Sequence, residues 1–275
     1  MTAAAPRRHW LAWVVLALFL VFVLAPILLV VMSSFKDPRE VYSGSLSPIF
    51  HATLDNYRTS LDRLNIQGAM VRSLIVATSS TGLALLAGVP SAYALARLPM
   101  RRRGAWSGLT LFARMTPAIV LVIPMFVLFT KLKLTDSYLA LVLAHGTISI
   151  PLVIWMMRSF FEDLPVELEE AARVDGATRL QAFYRIALPL TAAGLAAAAI
   201  IAFLASWNEF LFANVLAGQH TQTAPLAIAS AVPKLSTDLG TSAAAAVLTM
   251  LPIFALGWFI QRYLVRGLTL GAVKG

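Results

Sequence analysis

Cysteine is absent from the 275 residues, which excludes disulfides, thiol catalysis and cysteine-ligated metals and leaves the redox compartment open. Charge is scarce as well. Only 13% of residues are Asp, Glu, Lys or Arg, against about 25% in ordinary soluble domains. No Gly-x-x-x-x-Gly-Lys-Ser/Thr phosphate loop occurs, so the chain carries no ATPase site of its own. No His-Glu-x-x-His pair occurs either, and the four histidines are scattered, which leaves no metal site to propose. Intramembrane proteolysis would need a Ser/His pair or paired aspartates inside apolar runs. No aspartate falls in one, and His145 has no nucleophile partner evident in the sequence.

What is present is apolar length. The chain is 59% hydrophobic with mean hydropathy +0.78. A spanning helix needs about 20 mostly apolar residues. Six runs qualify, at about residues 10–35, 73–96, 106–130, 137–157, 186–212 and 240–261. Backbone polar groups in lipid must be satisfied within the segment, and barrel-type alternation is missing, so the expected fold is an all-α membrane protein with six transmembrane helices. Residues 1–275 read as a single transmembrane domain without internal repeats. The first run follows Arg7 and Arg8 but is too long for a signal h-region, so it is read as a retained helix.

Basic residues set the expected orientation. With the N-terminus inside, thirteen Lys/Arg fall on the cytoplasmic side, eight fall outside and Arg114 lies in a span. This bias places both termini in the cytoplasm. The cluster Arg101-Arg102-Arg103 is its clearest contribution and reads as a topological anchor rather than a nucleic-acid or lipid-specific site. The long outside segment from Lys36 to Arg72 reads as an irregular or short-helical loop. Residues 224–228 are moderately apolar and suit a re-entrant or interfacial stretch.

The longest inside segment, residues 158–185, departs most from the rest. Pro165 suits a helix start. Glu167, Glu169 and Glu170 then fall in the first turns, where the positive end of the helix dipole favours them. Gly176 is placed to end that helix. A second helix from Ala177 would run through Phe183 and Ile186 towards the fifth span, with Pro189 near its start. An amphipathic connector lying on the membrane would normally be rich in Lys and Arg, whereas this segment opens with acids. Small Ala faces with flanking charge suit a groove on a protein partner better.

Arg114 and Glu209 are the charges expected inside spans, where an ionisable residue is a functional hypothesis by default. Arg114, about two turns into the third span, either meets a pathway or snorkels to the interface. Glu209, beside Trp207 and Asn208, either lines a polar pathway, pairs with a base or marks the interface. Pro117, Pro124, Pro151 and Pro252 interrupt spans, as ordinary kinks or as broken helices around a cavity.

The run Glu169-Glu170-Ala171-Ala172-Arg173-Val174-Asp175-Gly176-Ala177, followed by Phe183, Ile186, Leu188 and Pro189, resembles the "EAA loop" of ABC-importer permeases. Asn56-Tyr57, Ala92-Tyr93-Ala94-Leu95-Ala96-Arg97, Arg114-Met115, Ile123-Pro124, Pro151 with Trp155, residues 206–213 and the tail 261–275 extend the resemblance. Together they are similar to the carbohydrate-uptake class, in particular the subunit type of the second maltose permease.

The resemblance implies a type I ABC importer permease in a bacterial inner membrane. Its partners would be a homologous and usually non-identical permease, a pair of ATPase subunits and an extracytoplasmic solute-binding protein, with no nucleic acid. This chain would bind no cofactor, and ATP and Mg would be used by the ATPase. ATPase coupling would fall to Glu169, Glu170, Ala171, Ala172, Asp175, Gly176, Ala177, Phe183, Ile186 and Pro189. A tail with Arg266, Gly267, Thr269 and Lys274 would reach the ATPase, and Arg114, Asn208 and Glu209 are candidates for the pathway or gate. The cargo would be a sugar, oligosaccharide or polyol. The alternatives are a permease for another solute such as a glycerophosphodiester, and a scaffold that only recruits an ATPase. Where relatives carry a second proline after Pro189, this chain has Ala192-Ala193-Gly194, which is expected to straighten the entry to the fifth helix.

Overall fold

The computed structural model describes the backbone of residues 9–37, 40–41, 50–231 and 239–271, with side-chain environments for most of them up to residue 258. The described residues are almost wholly helical, and their only strand-like pairing is an isolated bridge between Lys36 and Ala52. The chain divides into two compact units, one of residues 1–67 and 228–251 and the other of residues 68–227 and 252–275.

In the first unit, helix α1 (His9–Phe35) is apolar all round and almost entirely exposed, as suits a helix whose solvent is lipid. Its last carbonyls lack helical partners. Asn56, in the short helix α2 (Asp55–Asp62), supplies donors. Its buried side-chain amide reaches the carbonyls of Ser34 at 3.0 Å and Lys36 at 2.8 Å. Tyr57 adds a hydroxyl contact to Ser34 at 2.8 Å and a ring contact to Phe35. This is why Asn56-Tyr57 precedes the second span.

The second unit is built on three helices: α3 (Ile66–Arg97), α6 (Tyr138–Glu162) and α9 (Ala192–Trp207). Ala84, Ala92, Ala198 and Ala202 are fully buried among them. Small residues let helix backbones approach in a membrane, where exclusion from water no longer drives association. Gly194 is required on this account, because a Cβ there would fall inside the ring of Phe160 on α6.

Among the described residues, four helices are long and apolar enough to cross a membrane singly, and two bent pairs pass the same test when each is counted as one span. At Pro117 the structure selects the broken helix over the ordinary kink. Residues 106–130 form α4 (Arg103–Met115) and α5 (Ala118–Lys131), which meet at 92°. Proline disfavours a helical conformation in the residue before it. Thr116 is extended accordingly (ψ 119°), and Pro117 follows at ψ 135°.

The fifth span is bent by 77° between α8 (Arg179–Leu190) and α9, so lacking a second proline does not straighten its entry. Thr191 sits at the bend, its hydroxyl turned back to the carbonyls of Ala187 and Leu188. Within α8, Phe183–Ala187 widen into a π-helical turn just before Pro189, whose missing N–H already breaks the ladder. The span ends at Trp207 rather than at residue 212, and Phe212 belongs to a separate helix, α10 (Leu211–Leu216).

Other spans outrun their apolar runs. α3 begins at Ile66, α6 ends at Glu162 and the last helix, α12 (Leu239–Gly271), continues well past residue 261. Residues 224–228 are helical within α11 (Ala224–Ala231).

Candidate functional site: the coupling segment and its anchor

The charged segment folds as two short helices at the ends of α3 and α6. α7 (Glu167–Val174) carries its three acids in the first turn. Gly176 then takes φ +90°, a backbone state that side chains oppose, and the amides of Gly176 and Ala177 close the turn on Arg173 and Ala172. α8 starts at Arg179, two residues later than expected, because Thr178 and Gln181 form a reciprocal capping box. Between the helices lies a cleft of about 420 Å³ lined by Ala172, Asp175, Gly176, Ala177, Gln181 and Arg185, among others.

The residues expected to meet a partner divide into two groups. Glu170, Ala171, Asp175, Gly176 and Pro189 are exposed, and Ala172, Ala177 and Ile186 are partly so. Glu169 and Phe183 are buried against their own chain. Adjacent helical residues point about 100° apart, so Glu169 turns inward where Glu170 turns out. The Tyr93 hydroxyl donates to Glu169 at 2.5 Å, and Arg97 Nε donates to it at 2.9 Å. Arg97 also reaches the Leu164 carbonyl at 2.6 Å. Phe183 packs against the rings of Tyr93, Phe161 and Tyr184. α7 and α8 are thereby fastened to the ends of α3 and α6 by one buried ion pair and an aromatic cluster.

Sequence reasoning quoted Tyr93 and Arg97 as part of a motif without finding this role, and overlooked Val174, Leu180 and Tyr184. These three apolar side chains are 87%, 65% and 56% exposed around the turn. Their signal was large apolar residues in an otherwise charged segment.

Arg114, Asn208 and Glu209 do not converge. Arg114 is in the last turn of α4, not two turns into a continuous span, and its guanidinium lies 4.3 Å over the Trp155 ring. A cation there also complements the helix C-terminus. The Asn208 amide bonds back to the Leu204 carbonyl of its own helix.

Glu209 accepts from the amides of Phe212 and Ala213 at the start of α10, and lies 3.3 Å from His145 Nε2. Trp155 and His145 are ten residues apart on α6, about 15 Å at the usual rise. His145 also has the hydroxyl partner the sequence did not reveal. Its Nδ1 is 2.7 Å from Ser206, which accepts from Ser80 at 2.8 Å. Acid, imidazole and hydroxyl have the composition of a hydrolytic triad. The hydroxyl is buried and committed to two hydrogen bonds, so the set serves as a polar brace across α3, α6 and α9.

In the tail, the backbone of α12 passes through Arg266, Gly267 and Thr269, whose side chains lie outside the described residues, as does Lys274.

The family of binding-protein-dependent transport system inner membrane components matches residues 80–270. The probable ABC transporter permease y4oR of Sinorhizobium fredii is 36% identical over 264 residues, which are 96% of this chain and 94% of that protein. The trehalose transport system permease SugB of Mycobacterium tuberculosis is also 36% identical, over 96% of this chain and 97% of its own. Among solved structures, a chain of a bacterial ABC transporter involved in the import of the acidic polysaccharide alginate aligns with TM-score 0.74. That match covers 95% of this chain and 99% of the other at 23% identity, a level that speaks for the fold alone. The protein belongs to this inner-membrane family of ABC transport permeases: it is a multi-pass, all-helical membrane protein with the type I importer permease fold.

Proposed function

We propose that this chain is the permease subunit of a binding-protein-dependent ABC importer for a carbohydrate, coupling closure of a separate ATPase to alternating access. The observation that carries the coupling role is the Glu169–Arg97–Tyr93 anchor, which fastens an exposed turn to the membrane helices. The carbohydrate assignment rests on relatives named for trehalose and arabinooligosaccharide transport.

The whole chain acts as one membrane domain with six crossings and both termini in the cytoplasm. It pairs with a second, homologous permease, receives solute from an extracytoplasmic binding protein and lodges its coupling turn on the ATPase. Glu170, Ala171, Ala172, Asp175, Gly176, Ala177, Ile186 and Pro189 form the docking surface, joined by Val174, Leu180 and Tyr184. Glu169 and Phe183 act behind it as positioning residues. ATP and Mg belong to the ATPase. Arg266, Gly267, Thr269 and Lys274 extend towards it. Glu209 and Asn208 serve the gate through the brace they flank, and Arg114 fixes the bend of the third crossing.

The test is purification from native membranes in mild detergent, followed by an ATPase assay with candidate sugar-loaded binding proteins. Recovery of a second permease and an ATPase, with hydrolysis stimulated by one loaded binding protein, is the expected result. Recovery of the chain alone, with its loop intact, would overturn the reading.

A further inference from the structure

Arg101 and Arg102 are exposed and make no ion pair among the described residues. Glu162, the acid that pairs with neighbouring Arg103, is shared with Arg158, each at 2.9 Å. Two guanidinium groups are thus left facing outward on the connection between α3 and α4. With Met100 and Trp106 they line a cleft of about 550 Å³. Met100 and Trp106 also line a second, apolar crevice of about 400 Å³, between Leu95 of α3, Leu109 of α4 and Ile154 of α6. The basic cleft and the apolar crevice thus adjoin at the Met100 and Trp106 side chains.

We infer that, beyond the anchoring role read from the sequence, the adjoining clefts form a binding site for an anionic phospholipid, with the headgroup phosphate at Arg101 and Arg102 and an acyl chain in the crevice. Three features select this occupant. Guanidinium groups bind phosphate oxygens in a two-pronged geometry. Basic pockets between membrane helices capture anionic headgroups. Tryptophan prefers the level of the headgroups, and Trp106 joins the two halves while remaining 52% exposed. The outward face of α4 continues the apolar surface through Leu109 and Phe112, which are 54% and 69% exposed. A soluble anion would use the two arginines and leave the crevice unfilled.

The site adjoins the coupling segment through α3, since Arg97, between Leu95 and Met100 of its lining, holds Glu169. Lipid binding does not depend on the transport reading and is tested apart from it. The full chain, purified in mild detergent, is titrated with phosphatidylglycerol and with phosphatidylcholine of identical acyl chains, and bound lipid is counted by native mass spectrometry. Phosphatidylglycerol should bind about thirtyfold more tightly, the scale expected of two basic groups near an anionic headgroup.

Replacing both arginines (Arg101→Gln with Arg102→Gln) should abolish that preference. Trp106→Ala should weaken both lipids alike. The pair Lys131→Gln and Lys133→Gln, an equal charge change at the C-terminal end of α5, should alter nothing and controls for net charge. Equal binding of the two lipids by the unaltered chain would overturn the proposal, as would a preference that survives the double arginine change. Displacement by millimolar inorganic phosphate would assign the arginines to a soluble anion instead. Loss of bound phosphatidylglycerol on assembly with a partner permease would assign the crevice to that subunit. Either result sinks the lipid site.

Discussion

Glu169 and Arg97 are each about 10% exposed in their side chains, so their pairing is set in a poorly solvated place. Removing one member of such a pair strands the other, at a cost of about 3 kcal/mol. Glu169→Ala should therefore lower the thermal unfolding midpoint clearly, and adding Arg97→Ala should recover part of the loss. Purely additive losses in that double-mutant cycle would show that the pair is not coupled.

Asp136 offers a pH-dependent counterpart between α5 and α6. Its burial would by itself raise the carboxyl pKa. The Thr221 hydroxyl and the amides of Gly218, His220 and Thr221 all donate to it and outweigh that effect, so its pKa lies below the ordinary carboxylate value. A lowered folded-state value means that the contribution is whole above the unfolded value, about pH 4, and fades as pH falls through the lowered one. Thermal scans of the unaltered chain and Asp136→Asn should differ at pH 7 and converge as the pH drops below about 4. A gap that stays constant with pH would refute this account of the carboxylate.

Turns and bends decide how the elements behave. Gly176→Ala forces a side chain into a left-handed conformation at about 1–2 kcal/mol, and Gly176→Pro forbids φ +90° altogether. Both should leave the protein inserted while transport falls, with Pro the more severe. Glu170→Lys, which leaves the fold alone and reverses an exposed charge, should uncouple transport as well. Wild-type uptake by all three would remove the docking assignment. At the α6–α9 contact, Gly194→Ala should destabilise the protein, and Phe160→Leu should partly rescue it by withdrawing the ring that the new methyl meets.

These elements also mark how far the sequence could be read. Apolar length located the long helices and the two bent pairs, because satisfying the backbone in lipid demands long helices. The helix ends were less legible, since capping and tertiary contacts, not hydropathy, stop a helix at Trp207 or carry one on to Glu162. The bend at Thr116-Pro117 was written in the sequence as a residue before proline. The bend at Thr191 had no such mark. Glu169 and Glu170 are chemically alike, and only the packing of α7 against Tyr93 and Arg97 separates the anchor from the contact. His145 met Ser206 across 61 residues of chain, a distance no local pattern records.

At the scale of the whole molecule, the lack of cysteine becomes an experimental advantage. Single cysteines at Arg101→Cys and Lys133→Cys lie at the two ends of the third crossing. A membrane-impermeant maleimide should label Lys133→Cys in intact cells and Arg101→Cys only after the membrane is opened. The reverse order would invert the proposed topology. The buried joint at Glu169 bears on the assembled transporter in mechanical terms. A flexible tether would absorb a push as slack. Here the turn at Gly176 is welded through Glu169, Arg97 and Phe183 to the shafts of two long helices, so that a displacement of the turn by a few ångströms becomes a displacement of the shafts. The segment is built as a lever with a stiff fulcrum.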